Sequence, residues 1–331
     1  MKKINLIIAS ILIAIVVFGC NNLNDTKTIQ KKVYKIAVGQ YIDHPGLDAV
    51  RKGFYAQMQK LKYKEGDNVQ YDYQNCQGDA TLTQNISNKF CDGSYDLIFS
   101  IATPISQAVK KGTVRSHTPV VFGAITDPVS AGLVNSLKSP GGNLTGTSDA
   151  WPYQKQLELI RDVLPNAKNI GVLFNPGEAN TTYAMEQTRI AAKQLGLNLI
   201  EASISGTNEI NAAVLSIVNR VDAFYVTADN TTMAAAPAII KVATEKKKPV
   251  FAGDPGTFDS GCVAGFGVSY YDLGVASANI TNDILKNGKK PSDIPVVISE
   301  NPELMINLLV AKKLNISIPK TMVSRADKVV K

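Results

Sequence analysis

The chain is poor in the residues on which most catalytic and metal chemistry rests. Its 331 residues include only 2 His, 4 Cys and 1 Trp. With no C-x-x-C pair and only His44 and His117, no metal site is visible. No G-x-S-x-G elbow occurs, and a Ser–His–carboxylate triad would have to draw its base from the same two histidines. His117 falls in a loop ahead of a strand, at the wrong edge of an α/β sheet for chemistry. His44 falls at the right edge and reads as a loop anchor or ligand neighbour rather than a base. Neither G-x-G-x-x-G nor G-x-x-x-x-G-K-[ST] is present, which disfavours a dinucleotide site or a phosphate cradle. Arginine is scarce as well. Of 35 basic residues only 6 are Arg, and the lysines are scattered apart from Lys246-Lys247-Lys248 at a helix end. Nucleic-acid surfaces cluster basic groups and lean on Arg, so the formal charge of +7 does not point to one.

What is present starts at the N-terminus. Met1-Lys2-Lys3 is followed by an apolar run from Ile4 to Phe18, broken only by Asn5 and Ser10, and then by polar residues. That is the pattern of an export signal, too short and too terminal for a comfortable membrane span. The run stops at Val17-Phe-Gly-Cys20, which resembles the lipobox of bacterial lipoproteins. Residues 1–19 then read as a signal peptide, and residues 20–32 as a lipidated Cys20 with a short polar tether. Among the other cysteines, Cys76 ends a strand and Cys91 ends the helix after it, at opposite edges of an α/β layer. A helix of ~12 residues is ~18 Å long, whereas a disulfide needs Cα atoms within ~7 Å. The two are therefore read as free thiols, with Cys262 a third.

Beyond residue 32 short apolar runs alternate with helical stretches. Strands are expected at 33–40, 69–75, 97–102 and 120–125, then at 169–175, 197–205, 223–229, 250–254 and 264–271. Continuous runs such as Asp96-Leu-Ile-Phe-Ser-Ile-Ala102 suit parallel strands buried on both faces. Two successive β-α series imply an α/β protein of two doubly wound parallel-sheet lobes, divided by the turn-rich segment 140–149. Five strand ends carry a capping or polar residue followed by proline: His44-Pro45, Thr103-Pro104, Asp127-Pro128, Asn175-Pro176 and Asp254-Pro255. Proline suits the first position of a helix and the residue before it can cap the turn. In parallel sheets such ends share one edge, where ligands bind and where free helix N–H groups favour an anion.

Several phrases, in order along essentially the whole chain past the tether, resemble one family. They are Asp43-His-Pro-Gly-Leu-Asp48, Ala102-Thr-Pro104, Thr126-Asp-Pro-Val-Ser-Ala-Gly-Leu-Val134, Gly142-Asn-Leu-Thr-Gly146, Ala228-Asp-Asn230, Val250-Phe-Ala-Gly-Asp254 and Ser269-Tyr-Tyr-Asp-Leu-Gly274. With the export signal and Cys20, they resemble the type I substrate-binding lipoproteins of ABC importers, in the family that includes receptors for tryptophan and other aromatic amino acids. The resemblance implies a binding protein rather than an enzyme. It would use no cofactor, capture free Trp, Tyr or Phe, and deliver it to an ABC permease as a lipid-anchored, extracytoplasmic monomer. It also implies three crossings between the lobes, near Thr147–Trp151, Ser269–Asp272 and Asp293–Val297. Residues 33–148 with 272–293 would form the first lobe, and 149–271 with 294–331 the second. The helix after Leu273 would pack on the first lobe.

An amino-acid zwitterion requires an anion site and a cation site close together. Thr103 and Thr126, at strand ends of the first lobe, can offer hydroxyls and backbone N–H groups to the carboxylate. Asp229, at a strand end of the second lobe, can pair with the ammonium, or cap the helix that follows it, or both. Asp127, Asp254, Gln40 and Asn175 are further polar candidates at the cleft edge. Tyr41, Trp151, Phe174, Tyr183 and Tyr225 are unranked candidates for an aromatic wall. Two other readings stand beside this one: an exported α/β enzyme on a small substrate, and a receptor for a sugar or nucleoside. Sugar sites favour several stacking aromatics, which a single Trp argues against.

Overall fold

A computed structural model describes residues 32–299 and 301–331; the signal segment, Cys20 and the tether through residue 31 lie outside the described residues. The first β-α series comprises β1 (Tyr34–Gln40), α1 (Pro45–Lys60), β2 (Val69–Asn75), α2 (Ala80–Phe90), β3 (Leu97–Ile101), α3 (Thr103–Ser116), β4 (Val120–Ile125) and β5 (Leu144–Ser148). The second comprises α4 (Tyr153–Val163), β6 (Asn169–Phe174), α5 (Ala179–Leu195), β7 (Asn198–Ser203), α6 (Ile210–Ile217), β8 (Ala223–Val226), α7 (Asn230–Ala234), α8 (Ala236–Glu245), β9 (Val250–Ala252), α9 (Pro255–Asp259) and β10 (Ala264–Gly267). The chain ends with α10 (Tyr270–Leu285), β11 (Val297–Ile298), β12 (Glu303–Asn307), α11 (Leu308–Lys313), α12 (Lys320–Val323) and β13 (Lys328–Val330).

The strands form two sheets, ordered β11-β5-β4-β3-β1-β2 and β13-β12-β10-β9-β8-β6-β7. The first is parallel throughout. In the second, β12 runs antiparallel to β10 and the remaining pairs are parallel. The continuous apolar runs read from the sequence are the central strands β3 and β4, buried at every position because helices cover both faces. Strand order reverses between β1 and β3 in one sheet and between β6 and β8 in the other. Open α/β sheets bind ligands in the crevice beyond the strand ends at such switch points.

Three features differ from the sequence expectation. The turn-rich divider 140–149 contains β5, a fully buried strand of Leu144-Thr-Gly-Thr-Ser148. Its hydroxyls are satisfied by distant partners: Thr145 Oγ1 donates to the Ile294 carbonyl at 2.7 Å, and Thr147 Oγ1 lies 3.2 Å from Ser277 Oγ. Next, β11 pairs with β5, so the chain leaves the first sheet after Ile298, beyond the Asp293–Val297 crossing expected. Last, no helix starts directly after Asp127-Pro128 or Asn175-Pro176. Both phrases form turns, and α5 begins only at Ala179.

The first lobe is completed by α10, which returns to lie along α1. Gly274 makes the close approach possible, since a Cβ there would strike the Val50 carbonyl oxygen. Beneath α1, Phe54 stacks on Phe99 with centroids 4.0 Å apart and ring planes 16° apart. Cys76, Cys91 and Cys262 are free thiols. Among the described residues no helix is long and apolar enough to cross a membrane.

Candidate functional site: a closed cleft between two switch points

Between the two switch points lies a small cavity. The first lobe contributes His44, Leu47, Thr103, Ala124 and Thr126, and the second contributes Asn180, Ala228, Asn230 and Met233. Asp149 and Tyr270 line it from the crossings that follow β5 and β10. The walls are thus mostly polar, with the polar groups drawn from both lobes.

Three lining residues present buried polar atoms with no hydrogen-bond partner among the described residues: Asp149 Oδ1, Asn180 Oδ1 and His44 Nε2. Such groups cost free energy when left alone, so their convergence on one cavity points to a polar guest. Asp149 is held through its other oxygen, which accepts from Tyr270 Oη at 2.6 Å and Trp151 Nε1 at 3.2 Å. Burial pushes its carboxyl above the usual carboxylate range, offset in part by those two donors. Asn180 is oriented by its own amide nitrogen, which donates to Glu178 Oε2 at 3.2 Å and to the Ala228 carbonyl at 3.1 Å. Glu178 is the buried strut of this wall. Its two oxygens also accept from the backbone and side chain of Asn230 and of Thr231.

His44 caps α1, its Nδ1 accepting from the Leu47 N–H at 3.4 Å. The ring proton therefore sits on Nε2, the atom without a partner. Burial lowers the His44 pKa to about 4, so at neutral pH the ring is an uncharged donor. Thr103 lines the cavity from the first position of α3, where backbone N–H groups have no intrahelical partner. The residue before it, Ala102, has φ 83° and ψ 160°, a region that side-chain-bearing residues rarely enter. Ala124, on the cavity wall, also has positive φ, at 55°. Backbone strain is thus concentrated at the cleft edge of the first lobe.

The cavity brings together only some of the residues expected from sequence. Thr103 and Thr126 line it. Asp229 does not: Oδ1 accepts from the Thr232 N–H at 2.7 Å, and Oδ2 from the Asn175 N–H at 2.6 Å and Thr181 Oγ1 at 2.8 Å. Both oxygens are committed within its own lobe, where Asp229 caps α7. Asn175 is spent the same way, on Asp229, Gly177 and Thr231. Gln40 donates to Ile42, Asp43 and Asp48 and accepts from Arg51, bracing the loop that carries His44. Asp127 accepts from the Val129 and Ser130 N–H groups and caps a turn. Asp254 caps α9 through the Thr257 N–H and lies outside the lining. Of the five aromatic candidates none lines this cavity. Tyr225 is core, its hydroxyl donating to Gln156, and Trp151 acts one step removed, through Asp149.

Asp149, Asn180, Asn230 and Tyr270 were missed. Asp149 carries the same signal as the chosen residues, a polar side chain just past a strand, but Ala150 rather than proline follows it and its strand was read as a divider. Asn180 and Asn230 sit in the first turns of α5 and α7, with no local mark to separate them from ordinary helix starts.

The lobes also meet outside the cavity. A Cβ placed on Gly256, in α9 of the second lobe, would lie 2.7 Å from Pro45 Cβ and 3.0 Å from the Gly46 nitrogen of the first. This bare contact is a mark of a closed cleft.

Comparison with known proteins agrees with that geometry. The family model for ABC transporter substrate binding proteins matches residues 35–330. A tyrosine-binding protein of Clostridioides difficile (strain R20291) is 39% identical over 313 residues, covering 92% of this chain and 90% of that protein. A Streptococcus pneumonia structure in complex with L-Trp is 35% identical, with TM-score 0.86 over 90% of this chain and 100% of that one. A ligand-free, open substrate-binding protein with adhesive properties from Clostridium difficile is 37% identical over the same shares, yet its TM-score is 0.66. At nearly equal identity this chain superposes better on the structure with L-Trp than on the ligand-free, open one. The chain belongs to the ABC transporter substrate-binding protein family.

Proposed function

We propose that this protein is the extracytoplasmic receptor of an ABC importer, capturing a free aromatic amino acid between its lobes and presenting it to a membrane permease. The observation that carries the reading is the convergence of unpartnered buried atoms from both lobes, two acceptors and one donor, on one small cavity. Asp149 Oδ1 and Asn180 Oδ1 suit an ammonium. The hydroxyls of Thr103 and Thr126, the start of α3 and the His44 Nε2–H suit a carboxylate. Leu47, Met233 and Tyr270 supply apolar surface for a side chain, and the tyrosine- and tryptophan-binding relatives favour an aromatic one. Because the poles are gripped from two lobes, closure is favoured when both are present, and the closed form is what a permease can recognise. The protein performs no reaction, acts as a monomer and is tethered through lipidated Cys20.

Thermal unfolding of the protein lacking its signal and lipid, against the twenty amino acids, common sugars and nucleosides, tests this. A ligand at ~100 times its Kd adds ~2.7 kcal/mol. Stabilisation by Tyr, Trp or Phe is expected; a response confined to sugars or nucleosides would overturn the reading. Changing Cys20 to Ala should release the protein from the membrane fraction.

A further inference from the structure

The distribution of charge around the cavity is one-sided. Among the described residues that line it, Asp149 is the only one with a charged side chain, and none is Lys or Arg. Just behind the walls lie three more buried carboxyl groups: Glu178 beneath Asn180 and Asn230, Asp229 between Ala228 and Asn230, and Asp254. Burial is the main influence on Asp149, Asp229 and Asp254, raising all three; Glu178 adds to the shift of Asp229 and Asp149 to that of Asp254, and the groups that offset it are uncharged donors. With Asp149 ionised, the lining carries a negative charge and no Lys or Arg to balance it, which favours a cation over an anion.

The two ends of a zwitterion are consequently served unequally. Its ammonium meets a carboxylate oxygen and an amide oxygen, from the first crossing and the second lobe, both buried and both otherwise without a partner among the described residues. Its carboxylate meets only neutral donors, of which the threonine hydroxyls can rotate to other acceptors when it is missing. Removing the amine strands a buried carboxylate; removing the carboxylate strands no charge.

Resting on the amino-acid reading above, we infer that the guest's primary amine is the indispensable pole and its carboxylate the dispensable one, so that arylalkylamines lacking a carboxylate are ligands of the same cavity. Calorimetry with matched sets tests it: tyrosine, tyramine and 3-(4-hydroxyphenyl)propionate, and tryptophan, tryptamine and 3-(indol-3-yl)propionate. The amines should bind within ~100-fold of the parent amino acids, and the deaminated acids should fall by ~10³-fold or more. In Asp149→Asn, which keeps the size and an acceptor for Trp151, the gap between amine and acid should collapse. Binding of the amino acids with the acids equal to or tighter than the amines would overturn this inference and leave the amino-acid reading standing. Binding of amines without amino acids would do the reverse.

Discussion

Asp149 and Asp229 look alike by most measures. Each is a buried carboxyl group just past the end of a buried strand at the cleft edge, and burial raises the pKa of each. They differ in how many oxygens are committed. Asp229 spends both on its own lobe, on α7 and on the turn and helix after β6, whereas Asp149 spends one on Tyr270 and Trp151 and leaves the other facing the cavity. A strand-end carboxylate is a strut or a grip according to the partners left over, and that count is a tertiary property.

Replacing each aspartate by alanine should separate the two roles. Asp149→Ala should cost about 3–5 kcal/mol of ligand binding, the loss expected when one partner of a buried charge pair is removed. Its unfolding free energy without ligand should also fall, by about 1–3 kcal/mol, because the buried Tyr270 and Trp151 donors lose an acceptor. Calorimetry beside a denaturant melt would read both, and retained affinity would break the assignment. Asp229→Ala should instead lower unfolding free energy by about 2–3 kcal/mol, as a helix cap is lost and buried donors are left unpaired. A collapse of affinity with unchanged stability would restore Asp229 as the grip.

Acidity sharpens the contrast, because binding and stability should respond with opposite signs. Asp229 and Asp254 are raised from the ordinary 3.8 to about 7 and about 6 by burial, with Glu178 adding to the shift of Asp229. The folded state holds these protons more tightly than the unfolded chain. Their contribution to stability is therefore full below the ordinary carboxylate pKa and lost as pH rises through about 6 and about 7. Ligand-free stability from these two groups should rise as pH is lowered from 8 toward 5. Asp149, also raised, must be ionised to pair with an ammonium, so affinity should fall as pH drops through its pKa, by ~10-fold per unit once below it. Melts across pH 5–8, with titrations carried downward through the ionisation of Asp149, would show slopes of opposite sign, or parallel ones if the assignments are wrong. The smallest effect should come from Asn180→Ala, ~10-fold in affinity or about 1.4 kcal/mol, since a neutral acceptor is lost. An effect as large as that of Asp149→Ala would mean the amide, not the carboxylate, dominates.

The two-lobe architecture was legible because parallel strands buried on both faces announce themselves as unbroken apolar runs, as in β3 and β4. The short strand β5 was not, because its threonines are buried against Ile294 and Ser277, more than a hundred residues away. Thr103 and Thr126 were legible because a polar residue at a strand end in this fold class faces the ligand edge. Between Asp149 and Asp229 the sequence offers no such guide. Both satisfy the strand-end rule, and only the positions of Asn175, Thr181, Trp151 and Tyr270 in space decide which has an oxygen to spare.

The bare contact between Gly256 and Pro45 has a consequence for how tightly anything is held. Because the lobes touch where one residue has no side chain, a methyl group there would act as a doorstop, propping the jaws ajar at Pro45 and Gly46, residues that do not themselves line the cavity. Gly256→Ala should then weaken every ligand by a common factor, whatever its chemistry, since each pays the same toll to reach the shut form. Uniform loss across amine and amino acid alike would separate the energy of shutting from the energy of gripping.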